Sequence, residues 1–99
     1  MPASISARSI VVVAKDQVSC DLAEEVAILN LESGIYYGLD VVGARIWHLL
    51  QEPRTVSKIR DTLLGEYVVD SGRCEHDLLV LLQDLAAAGL IELTGEAAP

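Results

Sequence analysis

The hydrophobic pattern changes its period at Asp40. Before it, residues 9–39 are rich in Val, Ile and Tyr and contain no Pro, which is the signature of β-strands. After it, apolar residues recur at three- and four-residue spacing as far as Leu90, the spacing of one helix face. A chain with a single switch of this kind folds as a sheet followed by helices, both turning their apolar sides to a shared core. With 99 residues there is room for one such core. The expectation is therefore a single domain over residues 1–99, ordered from 9 to 93, with small polar ends that fray.

In the first part, VSCDL at residues 18–22 alternates apolar with polar side chains, as a half-buried strand does. Residues 25–31 form a nearly continuous apolar run and read as the central strand. Glu32-Ser33-Gly34 supplies a hairpin turn in which Gly34 is free to take a positive φ. Residues 35–39 are then the last and shortest strand. Residues 10–14 read either as an extra strand or as an arm that pairs elsewhere.

Three helices follow. Asp40 is a natural N-cap for the first, whose apolar face carries Val42, Ile46, Trp47 and Leu50 and which Pro53 ends. Thr55 caps the second, which buries Val56, Ile59, Leu63 and Tyr67. The third begins near Asp70 or Ser71, with Cys74, Leu78, Leu81, Leu82, Leu85 and Ala88 as its stripe. Gly89 suits the left-handed position after that helix, so that Leu90 folds back onto Leu85 before a short apolar tail closes the domain. The fold class is α+β: a three-stranded antiparallel β-meander followed by three α-helices, an arrangement like that of winged helix-turn-helix modules.

Charge and composition narrow the function. The formal net charge is −8, and seven Lys and Arg are scattered along the chain. That is no cationic footprint for phosphates, so nucleic acid is not an expected partner; an anionic membrane surface is disfavoured for the same reason. The apolar runs are too short to span a bilayer, and the amino terminus lacks a secretory pattern, which points to the cytoplasm. Aromatics make up 4% of the residues and Phe is absent, so the core rests on aliphatic side chains and Trp47.

No constellation names a reaction. Cys20 and Cys74 lack metal or redox spacing and are expected as free thiols in a reducing compartment. His48 and His76 fall on exposed helix faces, with no second ligand at metal spacing. The glycines form no phosphate-cradling motif, and Ser33 has no base beside it in sequence. The chain is expected to be no enzyme, with no catalytic residues, metal or cofactor.

Several stretches in order resemble the PqqD-like family of peptide chaperones, whose fold is called the RiPP recognition element. They are LNLESGIYYGL at 29–39, GARIW at 43–47, RTV at 54–56 with Ile59, YVVD at 67–70, Asp77-Leu78, and Leu85 with Gly89-Leu90. Among such proteins the pattern looks most like the stand-alone leader-peptide-binding subunit of lasso-peptide biosynthesis. The resemblance implies binding of the leader segment of a ribosomally made precursor as an extra strand beside residues 35–39, packed on the third helix. It also implies hand-over to a transglutaminase-like leader peptidase. On that basis the expected peptide-binding residues are Ile35, Tyr36, Tyr37, Gly38, Leu39, Cys74, Asp77, Leu78 and Leu81.

The physical reading of the residues is compatible with this. An unpaired strand edge is a template for β-strand addition. Tyr36 and Tyr37 point to opposite faces, so one can pack on the core while the other stays near a visitor. The run LLVLL at 78–82 is apolar almost all round and bordered by Asp77 and Asp84, which suits either a well-buried helix or an acid-rimmed groove. The alternative function is a winged-helix transcriptional regulator or another protein-interaction module, and the regulator is the one that the third helix can test. Its reading helix would present Arg, Lys, Asn or Gln outward, whereas the third helix presents Glu75, Asp77 and Asp84.

Overall fold

The computed structural model of the chain describes residues 5–96; of the ends expected to fray, 1–8 and 95–99, residues 1–4 and 97–99 lie outside the described residues. The meander is present: β2 (Gln17–Leu22), β3 (Glu25–Asn30) and β4 (Tyr36–Leu39) form an antiparallel sheet in the order β2-β3-β4. The apolar run at 25–30 is the central strand. Its inward row, Val26, Ile28 and Asn30, is buried. Opposite that row on β4 stand Tyr37 and Leu39. The turn into β4 uses Gly34 at φ 71°, a left-handed conformation that costs a residue without Cβ little.

Three helices follow with the expected caps. In α1 (Val41–Leu49) the Asp40 carboxylate accepts from the Gly43 N–H at 2.8 Å. In α2 (Val56–Glu66) the Thr55 hydroxyl accepts from the Lys58 N–H at 3.2 Å. In α3 (Ser71–Ala87) the Asp70 carboxylate accepts from the Arg73 N–H at 2.9 Å. Each cap satisfies a donor that an opening helical turn leaves unpaired. At the far end of α3, Gly89 has φ 75°. There the Gly89 N–H bonds to the Ala86 carbonyl and the Leu90 N–H to the Leu85 carbonyl, the paired closure that a left-handed residue permits.

Residues 10–14 are an extra strand that pairs away from the meander, as the two readings of this stretch allow. They form most of β1 (Ser9–Val13), the centre of a second sheet between β5 (Arg54–Thr55) and β6 (Ile91–Glu96). The apolar tail is thus a strand, antiparallel to β1 from Val13↔Ile91 to Ser9↔Glu96. This pairing carries order further out than the polar composition of the ends suggests. Ile5 is buried, and the Ala7 carbonyl accepts from the Ser57 N–H at 2.9 Å.

The core lies between the two sheets and the helices. Trp47, Ile28, Leu50, Ile59, Leu82 and Leu90 are among its fully buried side chains. Two expectations need correcting. Val42 is 42% exposed rather than buried with Ile46 and Trp47. And β2 is not half-buried: Val18 and Leu22, the apolar members of its alternation, are exposed, with Cys20 between them. The register explains this, because Val18 and Cys20 face the same side as Leu29 and Ala27, away from the buried row of β3.

One buried polar side chain joins sheet to helix. Asn30 is 7% exposed. Its amide donates to the Ala88 carbonyl at 2.8 Å, and its oxygen accepts from the Glu32 and Ser33 N–H groups at 2.9 and 3.2 Å. One amide thus holds both the hairpin turn and the end of α3. Asn30→Ala removes all three bonds, and chemical denaturation should show a loss of about 1–3 kcal/mol.

Candidate functional site

Because α3 is pinned to the β3–β4 turn at its C-terminal end, its N-terminal half lies near the opposite end of β4, where the chain enters α1. A cavity of about 620 Å³ lies between them. One wall is Gly38 and Leu39 of β4 with Asp40, Val42 and Ile46 of the α1 region. The other is Cys74, Asp77, Leu78 and Leu81, four positions on one flank of α3. Leu63 of α2, Tyr67 at its C-cap and Val69 from the loop that follows complete the lining. The surface is largely apolar, with charge confined to Asp40, Arg73 and Asp77.

Of the residues expected to bind peptide, Gly38, Leu39, Cys74, Asp77, Leu78 and Leu81 line this cavity. Ile35, Tyr36 and Tyr37 lie outside it. Ile35 precedes β4 and is exposed. Tyr36 is 71% exposed on the outer face, opposite Leu29, while Tyr37 packs against the core opposite Ile28. Leu39 and Leu78 are buried and serve the core as well as the cavity wall. Leu81 is half-buried and packs at the edge of the core.

Sequence reasoning missed the contributions of α1, α2 and the loop between α2 and α3. Val42 has the helical spacing of a core residue, and only the position of α3 decides that it borders a cavity instead. Val68 and Val69, both exposed, stand in that loop. Two adjacent valines beside a helix start were the one available signal.

The electrostatics hold the walls in place. Arg45 donates from Nε and Nη2 to Glu66, at 2.9 Å to Oε1 and 2.7 Å to Oε2, tying α1 to the last turn of α2. That hydrogen bond holds the Glu66 carboxyl below the usual carboxylate range and the Arg45 guanidinium above its ordinary value, so the pair is charged at neutral pH. Burial pushes the Cys74 thiol up, and the nearby Asp77 carboxylate adds to the effect. A raised thiol is mostly protonated at neutral pH, so Cys74 serves the wall as a small apolar group. Arg73 and Asp77 form an exposed pair one turn apart at 3.7 Å, weak enough for an incoming charge to replace.

Beside the cavity, β4 is the last strand of its sheet. Among the described residues no strand pairs with its outer edge. The site thus offers a row of backbone donors and acceptors next to an apolar trough, a geometry suited to an extended chain that adds a strand and drops side chains into the trough. Among the described residues no group of three or more His, Cys, Asp or Glu is placed to hold a metal ion. No helix there is long and apolar enough to cross a membrane.

Comparison with known proteins shows relatives in sequence and fold. No curated protein sequence matches the chain. Two solved structures have the same fold. One is TbiB1 in complex with the TbiA(beta) leader peptide, 40% identical, with a TM-score of 0.76 over 88% of this chain and 99% of that one. The other is lasso peptide synthetase B1 complexed with the leader peptide, 21% identical, with a TM-score of 0.74 over 83% of this chain and 96% of that one. The family described as coenzyme PQQ synthesis protein D (PqqD) matches residues 25–91, from the central strand of the meander to the start of β6. This chain belongs to the PqqD family.

Proposed function

We propose that the protein binds the leader segment of a ribosomally synthesised precursor peptide and hands it to a leader peptidase in lasso-peptide biosynthesis. The observation that carries this reading is the β4 edge, unpaired among the described residues, running beside an apolar cavity walled by α3. Its support from outside is that the 40% identical TbiB1 is a leader-peptide complex. The leader pairs with residues 35–39 as a fourth strand of the meander, and its apolar side chains enter the trough between Leu39 and Leu78. The protein contributes no chemistry; it raises the local concentration of precursor at the peptidase. A DNA-reading role gains nothing from the structure, since Glu75, Asp77 and Asp84 lie along α3 and the net charge is −8.

Titration calorimetry with the leader encoded beside this protein should show 1:1 binding, with Kd between about micromolar and nanomolar. Saturating leader should also slow alkylation of Cys74, which lines the cavity, more than that of the exposed Cys20. No heat, with unchanged Cys74 labelling, would sink the assignment.

Two leucines separate stability from binding. Leu78 is 2% exposed, so Leu78→Ala should cost about 2–5 kcal/mol of stability. The half-buried Leu81 should cost less on truncation to Ala, with a larger share of its effect in leader affinity. Melting curves and calorimetry on both variants check this, and equal behaviour would place the leader elsewhere on α3.

Asp77 is exposed at the rim. If it attracts Lys or Arg of the leader, Asp77→Lys should weaken binding more at low salt than at high salt, because a long-range attraction becomes a repulsion that ions screen. Calorimetry at two ionic strengths measures the difference.

A further inference from the structure

The outer face of the meander is apolar where a solvated face would be polar. Its register sets Val18, Leu29 and Tyr36 in one row across the three strands and Cys20, Ala27 and Gly38 in the next. Leu22 continues the column on β2. Val18, Leu22 and Tyr36 are 53%, 54% and 71% exposed. The polar members of β2, Gln17, Ser19 and Asp21, take the side that faces the helices. There Asp21 bonds to His48 of α1 at 2.9 Å. The amphipathic pattern of β2 is thus inverted relative to the core of its own chain. Such a pattern, with its cluster of exposed apolar side chains, marks a face that something else covers.

Charge indicates what covers it. Residues 9–44, which carry the whole meander, hold six carboxylates and one lysine. Asp16, Glu24, Glu25 and Glu32 are exposed around the turns that frame the sheet. A second copy would set that acid against itself, which costs affinity. A protein with an apolar centre and a Lys- or Arg-bearing rim fits instead. The face is also continuous with the leader edge, since Tyr36 and Gly38 belong to β4, whose outer edge pairs with no strand among the described residues.

We infer that the outer face of the meander, centred on Val18, Cys20, Leu22 and Leu29, is the docking surface for the leader peptidase, used while the leader occupies the separate groove against α3. This inference rests on the proposed function. It assigns the two partners to different sides of one sheet, so that neither has to leave for the other to bind.

The test uses the full chain with the precursor and the peptidase encoded beside it. The double variant Val18→Asp/Leu22→Asp changes two exposed side chains two strands away from the β4 edge. It should melt near the wild-type temperature and bind leader within about twofold of wild type, since neither residue lies on β4 or lines the cavity. Its affinity for the peptidase, read by surface plasmon resonance with leader present, should fall by about tenfold or more, and stimulation of leader removal should fall with it. Glu24→Lys/Glu25→Lys should weaken the same association. In the unaltered protein, peptidase should slow maleimide labelling of Cys20 while leader alone leaves it unchanged, a readout that stands even if the aspartate variant fails to fold. Full peptidase affinity in the variant, or undiminished Cys20 labelling under saturating peptidase, overturns the inference. So does a wild-type dimer that the variant abolishes while stimulation persists, because the face then belongs to a second copy. Failure of the wild-type protein to bind leader would be a different result: it removes the proposed function itself, and the docking face with it.

Discussion

Asn30 decides how the two halves of this protein meet. The meander alone is a small sheet, and α3 alone is a helix with an apolar stripe; neither defines a groove. The Asn30 amide accepts from two turn N–H groups and donates to the Ala88 carbonyl at the end of α3. A buried amide is tolerated only when its hydrogen bonds are made, and these partners exist together in one relative placement of hairpin and helix. Gly89 takes a left-handed turn beside it, and a Cβ there would stand 3.5 Å from the Asn30 nitrogen. With that end fixed, the opposite ends of α3 and β4 frame the cavity.

The second sheet gives the arrangement its rigidity. β1 lies between β5 and β6, so one strand ties the chain before the meander to the segment after α1 and to the segment after α3. Long-range backbone pairing of this kind substitutes for core volume in a short chain without Phe, where Trp47 and the aliphatic side chains must fill the interior. Trp47 is 1% exposed, and its indole Nε1 is buried with no hydrogen-bond acceptor among the described residues. That is a polar atom given up for the largest apolar surface in the core. With β1 engaged in its own sheet, no strand among the described residues covers the outer edge of β4.

A division of labour between sheet faces follows from strand geometry. Because side chains alternate, each meander strand contributes one row to the core and one to the outside. In β3 and β4 the inward row carries Val26, Ile28, Tyr37 and Leu39, which anchor the sheet. The outward row carries Leu29 and Tyr36, and β2 adds Val18, Cys20 and Leu22 to it. The edge of β4 belongs to neither face, since it offers backbone groups rather than side chains. Core packing inward, the proposed strand addition at the edge and the proposed docking outward therefore use different groups of one sheet.

Local signals determined much of this protein. The change of period at Asp40, the caps at Asp40, Thr55 and Asp70, the turn glycine Gly34 and the helix-ending Gly89 each depend on a few neighbouring residues, and a chain reads those out before it folds. The meander, the three helices and the stripe of α3 were legible for that reason. So were the strand at 35–39 and the flank of α3 at Cys74, Asp77, Leu78 and Leu81, though only as segments. What tertiary structure alone decided depends on partners distant in sequence. VSCDL at 18–22 alternates equally well with its apolar side in or out, and pairing with β3 in one register turned it outward. Val42 has core spacing, but the place of α3 made it a cavity wall. Residues 10–14 had no local reason to choose β6 over the meander; the choice rests on a strand some eighty residues away that they meet only in the folded chain.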